Sequence, residues 1–381
     1  KLFRITTVPM SFKYLLKGQM NFMSKNGFNV TMISSDGEEL NDVIENEKCD
    51  HLIIPLTRKI TIIKDLKAAF NLYRIIIKEK PDIVHTHTPK AGIIGMLSSY
   101  FAKVPIRLHT VAGLPLMEAS GFKKIILNLV EKLTYKCSTK VYPNSHILKK
   151  IILKHRLTSI NKLEVIGNGS SNGIDTSYFN PKLFSVKDKE VLKTNLGINN
   201  NDFVLIFVGR IVSDKGINEL VEAFNKVCLV LQNIKLLLVG PYEDELDPLL
   251  KKTKLCINSN DNIISVGYQN DVRSYFSISD CLVFPSYREG FPNVVMQSGA
   301  MGLPSIVTDI NGCNEIIENN VNGLIIKLKC VDAIYDAILK IIYDKSLFDK
   351  LRLNSRDIIK IKYEREDYWG LLLKQYKDLL N

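Results

Sequence analysis

The sequence is short of the features that mark several large classes of protein. Its 7 cysteines, odd in number and scattered from Cys49 to Cys330 without a CxxC pair, exclude a disulfide framework and a zinc knuckle. A membrane-spanning helix needs about 18 consecutive apolar residues. The best candidate, Ala91 to Ala102, falls well short, so the chain is not expected to cross a bilayer. The start, KLFRITTVPM, has neither the apolar core nor the small-residue cleavage site of a signal peptide, and unpaired thiols suit a reducing cytoplasm. The signatures GxxxxGK[ST], HExxH and GxSxG are missing, and GNGSSNG at Gly167 does not match GxGxxG. Nucleotide binding through either common phosphate loop is therefore unsupported.

What is present is a globular composition: 381 residues, 46% hydrophobic and 24% charged. Disordered chains are poorer in apolar residues, and this length suits two domains of roughly 100–200 residues each. The net charge of +11 is unevenly spread. Residues 1–180 hold 26 Lys and Arg against 14 Asp and Glu, whereas residues 181–381 hold 25 against 26. The excess peaks from Phe122 to Lys162, where 10 basic residues face one acid, Glu131. Such a block suits a phosphate-bearing partner, either nucleic acid or an anionic membrane, or an ordinary solvated face.

Short runs rich in Ile and Val alternate with helical patterns throughout. Strands are expected at Leu2–Val8, Asn29–Ile33, His51–Pro55, Asp82–Thr86, Ile106–Thr110, Lys140–Tyr142 and Leu163–Ile166, with helices such as Phe12–Lys25, Lys64–Lys80, Lys90–Ala102, Lys123–Lys136 and Ser145–Lys154 between them. The pattern pauses at Gly167–Pro181, where Gly and Asn supply turns. It restarts with strands at Phe203–Val208, Lys235–Val239, Asn262–Val266, Cys281–Phe284, Ser305–Thr308 and Leu324–Ile326, and ends in a helix-like segment, Asp367–Leu380. Runs without strict alternation suit strands buried on both faces. The fold class expected is α/β, with two doubly wound Rossmann-like domains at 1–180 and 181–362 and a final helix at 363–381. Domains of this kind bind ligands at the carboxyl ends of their strands, and a cleft between two of them is the default active site.

Several strand-end residues could carry chemistry. In VGRIVSDKG, Arg210 follows a strand and Lys215 precedes a helix, an arrangement that could hold a diphosphate or be a plain basic loop. In FPSYREGFPNVVMQ, Glu289 stands ahead of a helix start at Pro292, where it could accept sugar hydroxyl protons or simply complement the helix dipole, and Gly290 permits close backbone approach. His85 and His87 share one face of a strand, but two ligands do not define a metal site. His109 is expected to end its strand and reach the cleft. Glu243, Asp244, Glu245 and Asp247 suit a solvated helix start.

Taken in order, VGRIVSDKG, LLLVGPYEDELDPL, GYQNDV, FPSYREGFPNVVMQ, GAMGLPSIVTD and GCNEIIENNVNGLI resemble the C-terminal domain of the family 4 glycosyltransferases of the GT-B fold. HTHTPKAGIIGM and PNSHILKK resemble their bacterial members of the capsule, exopolysaccharide and O-antigen type. The resemblance spans essentially the whole chain. It implies two domains facing each other across a cleft, a nucleotide-sugar donor, transfer with retention, no metal or other cofactor, and a last helix that crosses back around Trp369. It assigns Arg210 and Lys215 to the diphosphate, Glu289, the first acid of an E-x7-E pattern, to the donor-sugar hydroxyls as a catalytic residue, and Gly290, Phe291, Pro292 and Asn293 to the donor cradle. Three departures stand out. Gln297 replaces the second acid of E-x7-E and can still hydrogen-bond a ribose. The turn from Thr6 to Lys13 has no Gly-Gly pair. Ala112 stands where many relatives have a histidine, which makes His109 a catalytic candidate, with Ser11 and His87 on the acceptor side.

The function expected is transfer of a sugar, from a UDP-sugar by preference, to a polyprenyl diphosphate-linked saccharide. The enzyme would lie on the inner face of the membrane through Lys123, Lys124, Lys132, Lys149, Lys150 and Lys154, and would not bind nucleic acid. The rivals are a nucleotide-sugar epimerase or hydrolase of the same fold and a basic nucleic-acid-binding protein. The second lacks aromatics interleaved with its basic block.

Overall fold

The computed structural model describes residues 1–57, 61–117, 119–245 and 247–381. Among them, the Ile- and Val-rich runs form two six-stranded sheets in which every pairing is parallel. The chain divides into one unit made of Lys1–Gly173 with Arg365–Asn381 and a second made of Ile174–Glu364.

The first unit carries β1 (Leu2–Ile5), β2 (Val30–Ser34), β3 (Asp50–Ile53), β4 (Ile83–His87), β5 (Ile106–Val111) and β6 (Lys140–Pro143) in the order β3-β2-β1-β4-β5-β6. The central strands β1 and β4 are buried at every position, their polar residues Arg4, His85, Thr86 and His87 included, as expected of strands covered on both faces. The second unit carries β7 (Phe203–Val208), β8 (Ile234–Val239), β9 (Ile263–Gly267), β10 (Cys281–Phe284), β11 (Ser305–Thr308) and β12 (Gly323–Ile326) in the order β12-β11-β10-β7-β8-β9. Counted from its first strand, this is the same winding. Each sheet therefore has one switch point, β1 beside β4 and β7 beside β10, where crossovers depart to opposite sides and a crevice opens at the carboxyl ends.

Three expectations need correction. Phe12–Lys25 is two helices, Pro9–Leu15 and Gln19–Lys25, because Gly18 between them takes φ +81 and a Cβ there would lie 2.7 Å from the Trp369 ring. Leu163–Ile166 is no strand; only a single bridge joins Val141 to Leu163. A helix at Lys345–Tyr363 was not anticipated. It packs on the helix Asn293–Ala300, with Ile359 against Gly299.

The final helix, Arg365–Leu380, belongs to the first unit. Tyr368, Leu372 and Tyr376, one turn apart, join the cluster of Phe12, Met20 and Met23. Burying three side chains of this size contributes about 1.5–3 kcal/mol each. The same helix sits over Arg4, which is 1% exposed and has no carboxylate among its hydrogen-bond partners in the described residues. Arg4 donates to the Tyr376 hydroxyl (2.7 Å), to Gln19 Oε1 (2.8 Å) and to His85 Nδ1. His85 Nε2 in turn meets Thr110 Oγ1 at 2.7 Å. His85 is therefore a neutral acceptor in the core, held well below its usual pKa by burial and then by Arg4.

Candidate active site

The second unit gathers charge at the carboxyl ends of β7 and β10. After β7 the chain passes Arg210, makes a turn at Ser213–Lys215 and enters the helix Ile217–Cys228. After β10 it runs through Ser286, Tyr287, Arg288, Glu289 and Gly290 into the helix Asn293–Ala300, with Pro292 at its N-cap and not inside the first turn. Lys215 Nζ lies 2.5 Å from Glu289 Oε1, and both side chains are 15% exposed. Ser286 donates to the same oxygen at 2.9 Å. Among the described residues both contacts fall on Oε1, which leaves Oε2 to a ligand. Lys215 has three N–H donors, so it can hold Glu289 and a phosphate oxygen together.

Sequence reading found these residues but not how they are braced. Arg210 is held by Glu243 at 2.7 Å. The acidic run 243–247 is thus no helix start: the next helix opens at Lys251, and Asp247 accepts from the Asp214 backbone at 2.6 Å. Leu246 of that motif lies outside the described residues. Arg288 pairs with Asp214 (2.8 Å), and the Tyr287 hydroxyl donates to Glu219 (2.6 Å), so the two loops are laced together. Partners more than 60 residues apart have no local sequence signal.

The cradle is fixed from beyond β11. Asn311 donates to the carbonyl of Gly290 (2.7 Å). Gly312, at φ +79, lies so close that a Cβ would approach that carbonyl oxygen to 2.6 Å. Phe291 is a packing residue, buried and edge-on to Tyr363 at 5.5 Å. Asn293 and Gln297, half-buried, are one turn apart on one face of their helix. Cys313 is buried beside Glu289, and its thiol is pushed well above the ordinary range, first by burial and then by that carboxylate.

The first unit differs at its own switch point. His87 ends β4 at 1% exposure, and neither ring nitrogen has a partner among the described residues. Burial first, then the charge of Arg4, lowers its pKa to about 3, so the ring is neutral. Unsatisfied buried polar atoms cost about 1–3 kcal/mol and are scarce in native folds outside functional sites. Ser11 is buried in the first turns of Pro9–Leu15. His109 does not end its strand, because β5 continues to Val111. Its ring, 2% exposed, lies against Gly92 on the side opposite His85 and His87 and meets Thr86 Oγ1 at 2.8 Å. Thr86 Oγ1 also reaches the Leu108 carbonyl at 3.3 Å. The structure therefore brings together Arg210, Lys215, Glu289 and the Gly290 loop, and places His109 in a core.

Of the expected membrane lysines, Lys123, Lys124 and Lys132 are exposed on the helix Gly121–Cys137, and Lys150 and Lys154 are exposed on His146–Lys154, where Lys149 is half-buried. Lys162 of the basic block is different: its Nζ donates to the carbonyls of Tyr135, Lys136 and Ser138 and caps the helix Gly121–Cys137. The sequence reading missed that this helix turns an apolar face outward. Phe122, Ile125, Ile126, Leu129 and Leu133 are all exposed, Phe122 by 76%. Their i, i+3, i+4, i+7 spacing was the available signal. No helix among the described residues is long and apolar enough to cross a membrane.

Comparison with known proteins fits both halves. The family model "Glycosyl transferases group 1" matches residues 188–358, and "Glycosyl transferase 4-like" matches residues 4–145. The chain is 34% identical over 380 residues to the capsular polysaccharide biosynthesis glycosyltransferase CapM of Staphylococcus aureus, covering 100% of this chain and 97% of that protein. This chain belongs to the family 4 glycosyltransferases of the GT-B fold. A second relative of this glycosyltransferase is the UDP-Gal:alpha-D-GlcNAc-diphosphoundecaprenol alpha-1,3-galactosyltransferase of Escherichia coli, 30% identical over 84% of this chain and 81% of its own. Among solved structures, Anabaena HepE in complex with UDP superposes with a TM-score of 0.83 at 15% identity, covering 99% of this chain and 100% of that one, which is a likeness of fold.

Proposed function

We propose that the enzyme transfers a hexose, with retention and without a metal, from a UDP-sugar to a polyprenyl diphosphate-linked saccharide in the synthesis of a capsule or related surface polysaccharide. The observation that carries this reading is the Lys215–Glu289 pair, with Arg210 nearby in the chain, at the β7/β10 switch point. Departure of a nucleoside diphosphate builds negative charge on its oxygens. Preorganised cations and helix-start amides stabilise that charge more in the transition state than in the ground state. The sugar–phosphate C–O bond breaks, the acceptor oxygen bonds the same carbon on the same face, and the acceptor's proton passes to the departing phosphate oxygen. Glu289 Oε2 holds donor hydroxyls during this step, and Gln297 holds the ribose.

The relatives support this choice of substrates. CapM is named for capsule synthesis, and the Escherichia coli enzyme for a UDP-Gal donor and a diphosphoundecaprenol acceptor. On the acceptor side we assign His87 and Ser11 to the acceptor and leave His109 as the residue that positions Thr86. Peripheral attachment to the inner membrane face is supported by the exposed apolar row of Gly121–Cys137 with Lys123, Lys124 and Lys132 beside it, a pattern of helices that lie in the bilayer interface.

The test is a screen of UDP- and GDP-sugars for nucleotide release, with and without lipid-linked acceptors and with a chelator. Acceptor-dependent, chelator-resistant release from a UDP-sugar is expected. Acceptor-independent release would favour the hydrolase or epimerase reading, and an absolute metal requirement would remove the mechanism.

A further inference from the structure

The loop from β10 to the helix Asn293–Ala300 holds a buried hydroxyl to which the transfer chemistry above gives no role. Ser286 follows β10 by two residues and is 0% exposed. Its Oγ lies 2.9 Å from Glu289 Oε1 and 3.2 Å from the Arg288 carbonyl. A hydroxyl has one proton to give. Of these two acceptors the carboxylate is both nearer and charged, so the proton goes to Glu289.

The backbone around this hydrogen bond is held by other groups. Thr308, at the end of β11 and buried, donates its hydroxyl to the Ser286 carbonyl. The Tyr287 amide donates to the Asp214 carbonyl at 2.9 Å, and Asn311 donates to the Glu289 carbonyl at 3.2 Å. The Ser286 side chain is thus not needed to shape the loop. What it can set is the turn of the Glu289 carboxylate, whose last torsion is broad and two-fold and is not fixed by a rotamer well.

Lys215 shares Oε1 with Ser286, but the two holders differ. Lys215 is a flexible point charge with three rotatable donors, and its ammonium is also the group assigned to the diphosphate. As a donor binds and draws that ammonium toward phosphate, its hold on Glu289 slackens. Ser286 Oγ turns about a single torsion on a clamped backbone and has no phosphate to follow. It keeps Oε1 engaged and Oε2 open while Lys215 is occupied.

Resting on the assignment of Glu289 to the donor hydroxyls, we infer that Ser286 is a positioning residue for transfer: it decides which carboxylate oxygen faces the donor sugar. It acts through Glu289 and not on the substrate. Its contribution is greatest in the transition state, when Lys215 meets the most phosphate charge, so it is felt in kcat and not in donor affinity.

The test is Ser286→Ala in the full chain, assayed with the UDP-sugar that the screen above selects and with UDP alone. Loss of one hydrogen bond to a charged group is expected to lower kcat about tenfold, with KM for the donor within about twofold and UDP affinity by calorimetry unchanged. In a Glu289→Ala background the same substitution should cost nothing further, because no carboxylate is left to orient. Crystals of wild type and Ser286→Ala with UDP give a readout that needs no turnover. The Glu289 carboxylate should rotate or split between two orientations in the variant, with residues 285–290 otherwise in place.

An unchanged kcat, or a loss that multiplies in full with that of Glu289→Ala, would overturn the inference. So would a fall in UDP affinity as large as the fall in kcat, which would mark a structural role in the loop, or a Glu289 carboxylate that keeps its wild-type orientation in the variant. Turnover intact in Glu289→Ala would remove the donor-sugar reading itself, whereas a large loss in Glu289→Ala beside an indifferent Ser286→Ala would remove only the role of Ser286.

Discussion

The two sheets wind in the same order, yet their switch points are built from opposite materials. At β7/β10 the side chains are charged and paired: Lys215 with Glu289, Arg210 with Glu243, Arg288 with Asp214. At β1/β4 they are neutral: Thr7, Ser11 and His87 are buried, His87 without a partner among the described residues, and the half-buried Thr88 bonds to Thr7. Topology fixes where a ligand can sit, and the side chains decide which ligand. A charged, braced crevice suits a leaving diphosphate, whose charge changes during reaction. A neutral crevice suits an acceptor that must be aligned but does not gain charge.

The sharpest way to break this contrast is at Glu289. Glu289→Gln keeps the shape and removes the charge, and kcat/KM for transfer is expected to fall about 10²–10³-fold, as for the loss of a key transition-state contact. UDP affinity by calorimetry should not weaken, because Lys215 loses its competitor. Unchanged turnover would remove Glu289 from the mechanism.

Next in size is Arg4, the buried cation of the first unit. Arg4→Ala leaves Tyr376, Gln19 and His85 without their donor and opens a cavity under the final helix, at a cost of about 3 kcal/mol in urea unfolding. UDP affinity should survive, since the residues proposed to hold it all lie in the second unit. Its loss would show that the two switch points are not independent.

These two residues also show what was legible in the sequence. Strands β7, β10 and β11 were readable to the residue because unbroken apolar runs admit few registers in a sheet buried on both sides. That Arg210, Lys215 and Glu289 fall on the loops after such strands was readable for the same reason, whereas the roles proposed for them rest on the family resemblance. The helix Lys345–Tyr363 was not readable, because its buried Leu351, Ile359 and Tyr363 are diluted among charges. Nor were the pairs Arg210–Glu243 and Arg288–Asp214, or the Arg4 network, since their partners are 33, 74 and up to 372 residues apart. The unsatisfied ring of His87 follows from packing on every side of it, which no local pattern encodes.

Titration gives a third test, confined to the first unit. Glu131 has a folded pKa of about 7 against roughly 4.3 unfolded, so the folded state binds the extra proton between those values and stability falls as pH rises through that window. His87, at about 3, and His109, at about 4, lie below their unfolded value, so the unfolded state binds the extra protons and stability falls as pH drops below about 6.5. Glu131→Gln should therefore stabilise the protein at pH 8 by on the order of 2–3 kcal/mol and leave the acid limb intact. Equal stabilisation at pH 4 and pH 8 would show that the gain is not electrostatic.

The smallest effect expected concerns the outward face of Gly121–Cys137, and it separates two forces that the basic block merges. Lysines near an anionic surface contribute about 1 kcal/mol each and are screened by salt, whereas buried apolar side chains are not. Ile125→Ser with Leu129→Ser should weaken sedimentation with anionic vesicles about tenfold and leave its salt dependence in place. Lys124→Gln with Lys132→Gln should reduce the salt dependence and leave a residual affinity at 1 M salt. Both pairs lie outside the diphosphate crevice of the second unit, so transfer to a detergent-solubilised acceptor should stay near wild type. A salt slope unaffected by the lysine pair would mean that the charge excess of the first 180 residues serves some other partner, and the contrast between the two units would then rest on their switch points alone.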